Sequence, residues 1–458
     1  MDDLIQRLEG LLGAGGVLTG ADVAARTAGI WRSDPLVAGA IVRPRDTEQV
    51  AAVLALCHER GRAVVTQGGL TGLVHGADAG REELILSTER MTAIEAVDPV
   101  DRTATVQAGV PLQTLQDAVA EHDLVFPLDL GARGSCSLGG NLATNAGGNR
   151  VVRFGMTREN TLGVEAVLAD GTVIPAMNRM VKNNSGFDLK HWFIGTEGTL
   201  GVITRAVLRL REAPRSRTSA LLALDSFDAV TRLLKHLDAN LGGALSAFEV
   251  MWREFSDVVA RPPVRTNAPL PPGHAFYVLC EAMGGDPEAD AARFERVLGD
   301  ALEAGTAVDA VLAETEARQR DLWLLRDSVD ALFRFGPHQI FDVSLPVSAM
   351  ASYVARVEQG IAAISPSARL FTFGHLGDGN LHFLAAPGAD DAATVEAVER
   401  AVYEPLAALG GGISAEHGIG LEKKRWLSVS RSAEEIELMR RMRAALDPKG
   451  ILNPGKVI

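Results

Sequence analysis

Two histidines flank a Gly-Asp-Gly-Asn core in "GHLGDGNLHF", residues 374–383, in a chain that has only ten histidines. An imidazole can bind a transition metal or exchange a proton near neutral pH, so a close pair calls for a chemical reading. Asp-Gly between the β-prone flanks FTFGHL and NLHFL predicts a two-residue type I′ hairpin. With Asp378 and Gly379 as its loop, Leu376 faces Leu381 and His375 faces His382. Directly opposed Cβ atoms are about 4.5 to 5.5 Å apart, within reach of one metal ion. "SAEHGIG", residues 414–420, adds Glu416 as an anionic third ligand, with His417 beside it. Two histidines and one glutamate leave coordination positions open, the arrangement of a metal that acts on a substrate. Zn²⁺ fits this set best, and Mn²⁺ and Fe²⁺ accept the same ligand types. Without a metal, the same residues are a surface hairpin and an exposed polar pair.

A second chemistry is written in glycine. "TQGGLTGLVHG", residues 66–76, follows a strand, and its open backbone N–H groups can converge on an anion such as a phosphate. "GARGSCSLGGNLATNAGGN", residues 131–149, has paired glycines at 139/140 and 147/148, enough for a planar ring or a pyrophosphate to approach the backbone. The first loop lacks the Lys-Ser/Thr pair of a P-loop, and no G-x-G-x-x-G follows a strand.

The elements that position these residues need more than one core, and 458 residues imply two or three domains. An apolar content of 47% with 47 glycines indicates a well-buried mixture of helix and sheet, and a net charge of −13 argues against a nucleic-acid groove or an anionic membrane surface. Cys57, Cys136 and Cys280 are scattered and odd in number, which fits a reducing compartment. The start, MDDLIQRLEGLL, lacks the basic and apolar regions of a signal peptide, and no apolar run reaches 18 residues. The cytoplasm is the default expectation.

From "AGAIVRPRDTEQVAAVLALCHERGRAVVTQGG" follow a strand, a helix from Asp46/Thr47 to Gly61 and a second strand, a β-α-β unit. LILST and TATVQAG read as alternating strands, a helix starts at Pro111, and Asp170-Gly171 marks another hairpin. "APRSRTS" after residue 213 reads as a linker. Beyond it helices alternate with strand-like pieces, among them one long helix over "AETEARQRDLWLLRDSVDALFRF", residues 313–335. The expected fold is α+β, with domains at 1–213 and 214–412 and a closing segment at 413–458.

"TQGGLTG", "GSCSLGGNLATNAGG", "RFGMTRENTLGVEAVLADG" and "NNSGFDLKHWFIGTEGTLGVITRAVLRL" resemble the FAD-binding half of the vanillyl-alcohol-oxidase superfamily. Within it, the chain from about residue 36 onward, including "GHLGDGNLH", "AEHGIG" and "NPGK", resembles the FAD-linked D-2-hydroxy acid dehydrogenases. That branch holds the D-lactate and D-2-hydroxyglutarate dehydrogenases and the glycolate oxidase flavoprotein subunit. The resemblance implies a two-subdomain FAD-binding domain plus an α+β substrate or cap domain. It implies that Gln67, Gly68, Gly69, Thr71 and Gly72 hold the pyrophosphate, that Gly134, Ser135, Gly139, Asn141, Thr144, Gly147, Glu197 and Ile203 line the flavin, and that Asn453 returns to it. Leu70 stands where relatives usually have Asn, and His75 lies off the position at which some members tether the flavin, so the FAD is expected to be non-covalent.

In the resembled family His375, His382 and Glu416 carry the metal, His417 is the general base and Arg326 holds the substrate carboxylate. Members acting on D-2-hydroxyglutarate carry threonine, lysine and asparagine where this chain has Asp330, Ile340 and Leu384. The expectation is therefore a monocarboxylic D-2-hydroxy acid with an apolar side chain, with D-2-hydroxyglutarate as the alternative. The partner for the electrons is an electron-transfer flavoprotein, a quinone or a cytochrome, and the assembly, a homodimer among the options, is left open. Two other classes remain: a zinc hydrolase with a metal-bound water on His375, His382 and Glu416, and a non-catalytic flavoprotein subunit.

Overall fold

The computed structural model describes residues 2–265 and 267–458. The chain forms two compact units. The first runs as far as Gly147 and resumes over Gly155–Ala213 and Glu416–Ile458, and the second comprises Gly148–Phe154 and Pro214–Ala415. The short excursion at 148–154 cannot be read from the glycine-rich sequence around it. Arg150 fixes it in the second unit by donating from Nε to the buried Glu281 carboxylate at 3.1 Å.

The first unit contains a four-stranded and a five-stranded sheet. In the four-stranded sheet the order is β1 (Val17–Leu18), β2 (Ala40–Val42), β4 (Leu84–Ser87), β3 (Val64–Gln67). β2 and β3 both run parallel to β4, which lies between them. Helix α1 (Thr47–Arg60) makes the crossover from β2 to β3. It opens on Asp46, whose side chain accepts from the Gln49 N–H, and stops at Gly61 in the left-handed conformation. The alternation expected for LILST does not describe β4. Every residue of that strand is buried, because a central parallel strand is covered on both faces.

The five-stranded antiparallel sheet has the order β5 (Ile94–Asp98), β6 (Thr103–Gln107), β9 (Val202–Arg209), β7 (Thr161–Val167), β8 (Val173–Ala176). β7 and β8 are joined through the Asp170-Gly171 turn, with Gly171 at φ 89°. Between β6 and β7 stand α2 (Leu112–Ala120) and α3 (Leu138–Thr144), whose buried leucines enter the same apolar core as Val106, Val164 and Ala206.

The second unit is built on one seven-stranded sheet. Its order is β13 (Asp309–Leu312), β10 (Ser216–Leu224), β12 (Phe276–Gly284), β11 (Leu245–Trp252), β15 (Arg369–His375), β16 (Asn380–Ala386), β14 (Gln339–Ser344). All neighbours pair antiparallel. The long helix expected at 313–335 divides. Helix α4 (Glu316–Asp327) ends where the Ser328 hydroxyl donates back to the Leu324 carbonyl at 2.6 Å, and a 3₁₀ segment continues over Val329–Phe335. That break lets Leu332 enter the apolar cluster formed with Leu322, Leu325, Phe371, Phe373 and Leu384.

The C-terminal segment returns to the first unit. Helix α5 (Ala433–Leu446) opens with a Ser432–Glu435 capping box. After it the buried Asp447 accepts from the N–H groups of Ile451 at 3.0 Å and Leu452 at 2.7 Å. Leu452 bridges to Val64, and the Asn453 N–H donates to the Val64 carbonyl at 2.9 Å. Stranding a buried donor costs about 1–3 kcal/mol. Asp447→Ala should therefore lower the unfolding free energy by roughly 2 kcal/mol or more in a denaturant titration. An unchanged midpoint would show that Asp447 does not pin the tail.

Candidate active site

In the first unit the loop after β3 packs on the start of α3 so tightly that side chains are excluded. A Cβ on Gly69 would lie 1.9 Å from the Ser135 carbonyl oxygen, one on Gly68 would lie 2.2 Å from the Ser137 hydroxyl, and one on Gly139 would lie 2.6 Å from the Ala108 Cβ. These three glycines are dictated by contact between chain segments. Gly72 and Gly134 instead face open space. Among the described residues, the backbone N–H groups of residues 68–72 make no hydrogen bond. Free donors beside Cβ-free backbone fit a pyrophosphate.

Several side chains expected at the flavin are engaged in building this cradle. Gln67 donates to the Ala77 carbonyl at 2.8 Å, Asn141 to the Cys136 sulfur at 3.6 Å, and the Thr144 hydroxyl to the Gly140 carbonyl at 3.1 Å. Asn453 accepts from the Thr66 N–H at 2.9 Å and donates to the Glu197 carbonyl at 2.5 Å. Glu197, at φ 51°, accepts from the N–H groups of Ile419 at 2.7 Å and Gly420 at 2.9 Å. Burial pushes its carboxyl upward, against the opposing pull of those two N–H groups and of Lys423. Ile203 and Gly147 are buried, Thr71 is half-buried and Ser135 is exposed. His75 is held by Asp78 and Arg32, each at 3.0 Å from its Nδ1.

In the second unit the hairpin departs from the expected register. Phe373, rather than His375, pairs with His382. His375 instead ends β15 opposite Glu249 of β11, and a 3₁₀ turn over Leu376–Asp378 closes at Gly379, φ 88°. The slip is two residues, an even number, so both imidazoles stay on one face. Their ring centroids are 5.1 Å apart with the planes at 85°. Row by row, this face carries Glu249 and His375, then Met251, Phe373, His382 and Asp342, then Phe371, Leu384 and Ile340.

Two carboxylates on this face, Glu249 and Asp342, have no exposed surface, and sequence reasoning missed both. An acid inside an otherwise apolar strand, as in SAFEVMW and IFDVS, was the available signal. Glu249 Oε1 lies 2.8 Å from His375 Nδ1, and its Oε2 accepts from Arg326 Nε at 2.8 Å. Desolvation pushes this carboxyl up, but the charges of His375 and Arg326 outweigh it and hold the group below its ordinary range. Arg326 also stacks over Phe373, 4.8 Å from the ring centroid, and its Nη2 is 3.3 Å from His375 Nε2.

Asp342 accepts from Asn380 Nδ2 at 2.9 Å, from the Ser414 hydroxyl at 3.1 Å and from the Ala415 N–H at 3.0 Å. Glu416 and His417 follow Ala415 directly in the chain, so these bonds fix where the pair begins. Ligand atoms of His375 and His382 lie within 4.8 Å of each other, as do those of Asp342 and His382. The donor set fits a divalent cation, and the carboxylate on His375 Nδ1 is the support that metal-bound imidazoles usually receive. Ile340 is half-buried and Leu384 fully buried one row beyond. Asp330 is exposed on the 3₁₀ segment.

Residues 38–176 match the FAD binding domain, and residues 213–457 match the FAD linked oxidases, C-terminal domain. The chain is 42% identical to a D-2-hydroxyglutarate dehydrogenase of Xanthomonas citri pv. viticola, covering 93% of this chain and 90% of that protein. It is also 42% identical to the mitochondrial D-2-hydroxyglutarate dehydrogenase of Bos taurus, covering 91% and 76%. The fold matches p-cresol methylhydroxylase with a TM-score of 0.78 at 16% identity, covering 100% of this chain and 96% of that one. A 4-ethylphenol oxidase from Gulosibacter chungangensis matches with a TM-score of 0.74 at 19% identity over the same shares. The protein belongs to the FAD-linked oxidase family and is an FAD-dependent oxidoreductase. This sets aside the hydrolase reading. Among the described residues no helix is long and apolar enough to cross a membrane.

Leu70 adopts φ 56°, a left-handed conformation that suits Asn far better than Leu. Leu70→Asn should raise stability by about 1 kcal/mol and increase FAD retention during dialysis. A lower melting temperature with faster FAD loss would contradict this.

Proposed function

We propose that the protein is an FAD- and divalent-metal-dependent dehydrogenase that oxidises a D-2-hydroxy acid to the 2-oxo acid. The supporting observation is the close pair of His375 and His382 ligand atoms, with Arg326 against the first imidazole and Glu416 directly after the Asp342-bound Ala415 in the chain. When bound, FAD accepts the hydride from C2 and a cation on this set, most fittingly Zn²⁺, lowers the pKa of the substrate hydroxyl. Arg326 pairs with the substrate carboxylate, a task for which a planar guanidinium has matching fork geometry. His417, next to Glu416 in the chain, takes the hydroxyl proton as a neutral imidazole. A separate acceptor, such as an electron-transfer flavoprotein, a quinone or a cytochrome, would take up the electrons. Three buried free cysteines support a reducing compartment, with Cys57 and Cys280 pushed up to about 12 chiefly by burial.

The substrate reading is a monocarboxylic acid with an apolar side chain. It rests on the apolar continuation of the face beyond His382, through Phe371, Leu384 and Ile340, with Arg326 as the buried guanidinium at the site. The names of the relatives favour a second reading, D-2-hydroxyglutarate. That diacid needs another cation, and Arg334 within the 3₁₀ segment and His338 just after it are the nearest in sequence to Ile340.

Two measurements bear on this reading. His417→Ala should lower kcat by roughly 10²- to 10⁴-fold with FAD still bound, the usual contribution of a positioned base. A loss below about tenfold would place the base elsewhere. In a substrate panel, D-lactate, D-2-hydroxyisovalerate or D-mandelate should exceed D-2-hydroxyglutarate in kcat/KM by about tenfold or more, the effect of one missing charge-assisted hydrogen bond. A preference for the diacid would select the second reading.

A further inference from the structure

We infer that Glu249 is a positioning residue that couples the metal-ligating imidazole to the substrate-binding guanidinium, one buried carboxylate holding both. The inference rests on the metal and substrate roles proposed above for His375 and Arg326. Each oxygen of Glu249 has its own partner, Oε1 with His375 Nδ1 and Oε2 with Arg326 Nε, both at 2.8 Å. The first bond fixes the tautomer. With the proton on Nδ1, the lone pair is on Nε2, the nitrogen that would take the cation and that lies 3.3 Å from Arg326 Nη2, and the adjacent carboxylate raises its basicity. The second bond uses Nε instead of a terminal nitrogen. Among the described residues Arg326 Nη1 makes no hydrogen bond, so the outer edge of the guanidinium is left for a carboxylate. Stacking on Phe373 fixes the plane of that edge.

A purely structural role is the competing account, since Arg326 lies on α4 and its bond to Glu249 also docks that helix on the sheet. The neighbouring strand provides a control. Buried Glu281 of β12 accepts from the indole N–H of Trp323, also on α4, at 3.1 Å, and no hydrogen bond or ion pair links it to His375 among the described residues. Helix docking alone would make both glutamates matter to α4 and neither of them specially to the metal. The coupling role makes only Glu249 matter to the metal.

The test uses the FAD-loaded, full-length enzyme and titrates Zn²⁺ against a chelator. Glu249→Gln should weaken Zn²⁺ binding by about ten- to a hundredfold, the usual effect of losing the partner of a metal-bound histidine, with FAD content unchanged. Saturating Zn²⁺ should restore most of kcat, while KM for the 2-hydroxy acid stays raised because Arg326 has lost its anchor. Glu281→Gln should keep the wild-type Zn²⁺ affinity. If Glu249→Gln does not fold, Glu249→Asp retains the charge on a shorter arm and should show the same pattern with smaller changes. Wild-type Zn²⁺ affinity and KM in the Glu249 variant, or equal weakening in both glutamate variants, would overturn the inference. A wild type that binds no Zn²⁺ would overturn the metal reading itself, and the inference with it.

Discussion

A carboxylate without solvent cannot keep its charge unless the protein surrounds it with partners, and Glu249 and Asp342 are two such groups on one sheet face. Their needs organise the site. Glu249 draws in an imidazole from β15 and a guanidinium from α4. Asp342 draws in the amide of Asn380 and the Ser414–Ala415 backbone that leads into Glu416 and His417. Segments far apart in sequence converge because leaving either charge unpaired costs more than ordering the chain around it.

The seven-stranded sheet makes that convergence rigid. β11, β15, β16 and β14 are paired side by side, so the spacing of Glu249, His375, His382 and Asp342 is set by strand geometry. Loops alone would hold these positions less precisely. The face is polar at one end, mixed in the next row and wholly aromatic or aliphatic in the third. In the first unit the cradle works differently: close-packed glycines let two segments touch, and backbone donors rather than charged side chains are left facing outward.

Local signals were legible in the sequence, and cooperative ones were not. Asp46 and Gly61 mark the ends of α1 as capping chemistry requires, and the two glycine loops identify a cofactor cradle. The closeness of His375 and His382 was legible because residue type and spacing carry it. The hairpin register was not, since it depends on β15 pairing with β11 at Glu249, about 125 residues upstream in sequence. The faces of the imidazoles were still read correctly because the slip is even. Glu249 and Asp342 were missed for a related reason. A lone acid in an apolar strand marks its position but not its partner. The break of the helix at Ser328 and the excursion of Gly148–Phe154 likewise follow from tertiary contacts that no local pattern encodes.

The central claim is that a 2-hydroxy acid reduces the flavin only when a cation occupies the group formed by His375, His382 and Glu416. Its most direct test is anaerobic mixing of the FAD-loaded protein with a D-2-hydroxy acid, following flavin absorbance before chelation, after chelation and after Zn²⁺ is restored. The account predicts bleaching in the first and third cases and very slow bleaching in the second. Equally fast bleaching after complete metal removal would contradict it.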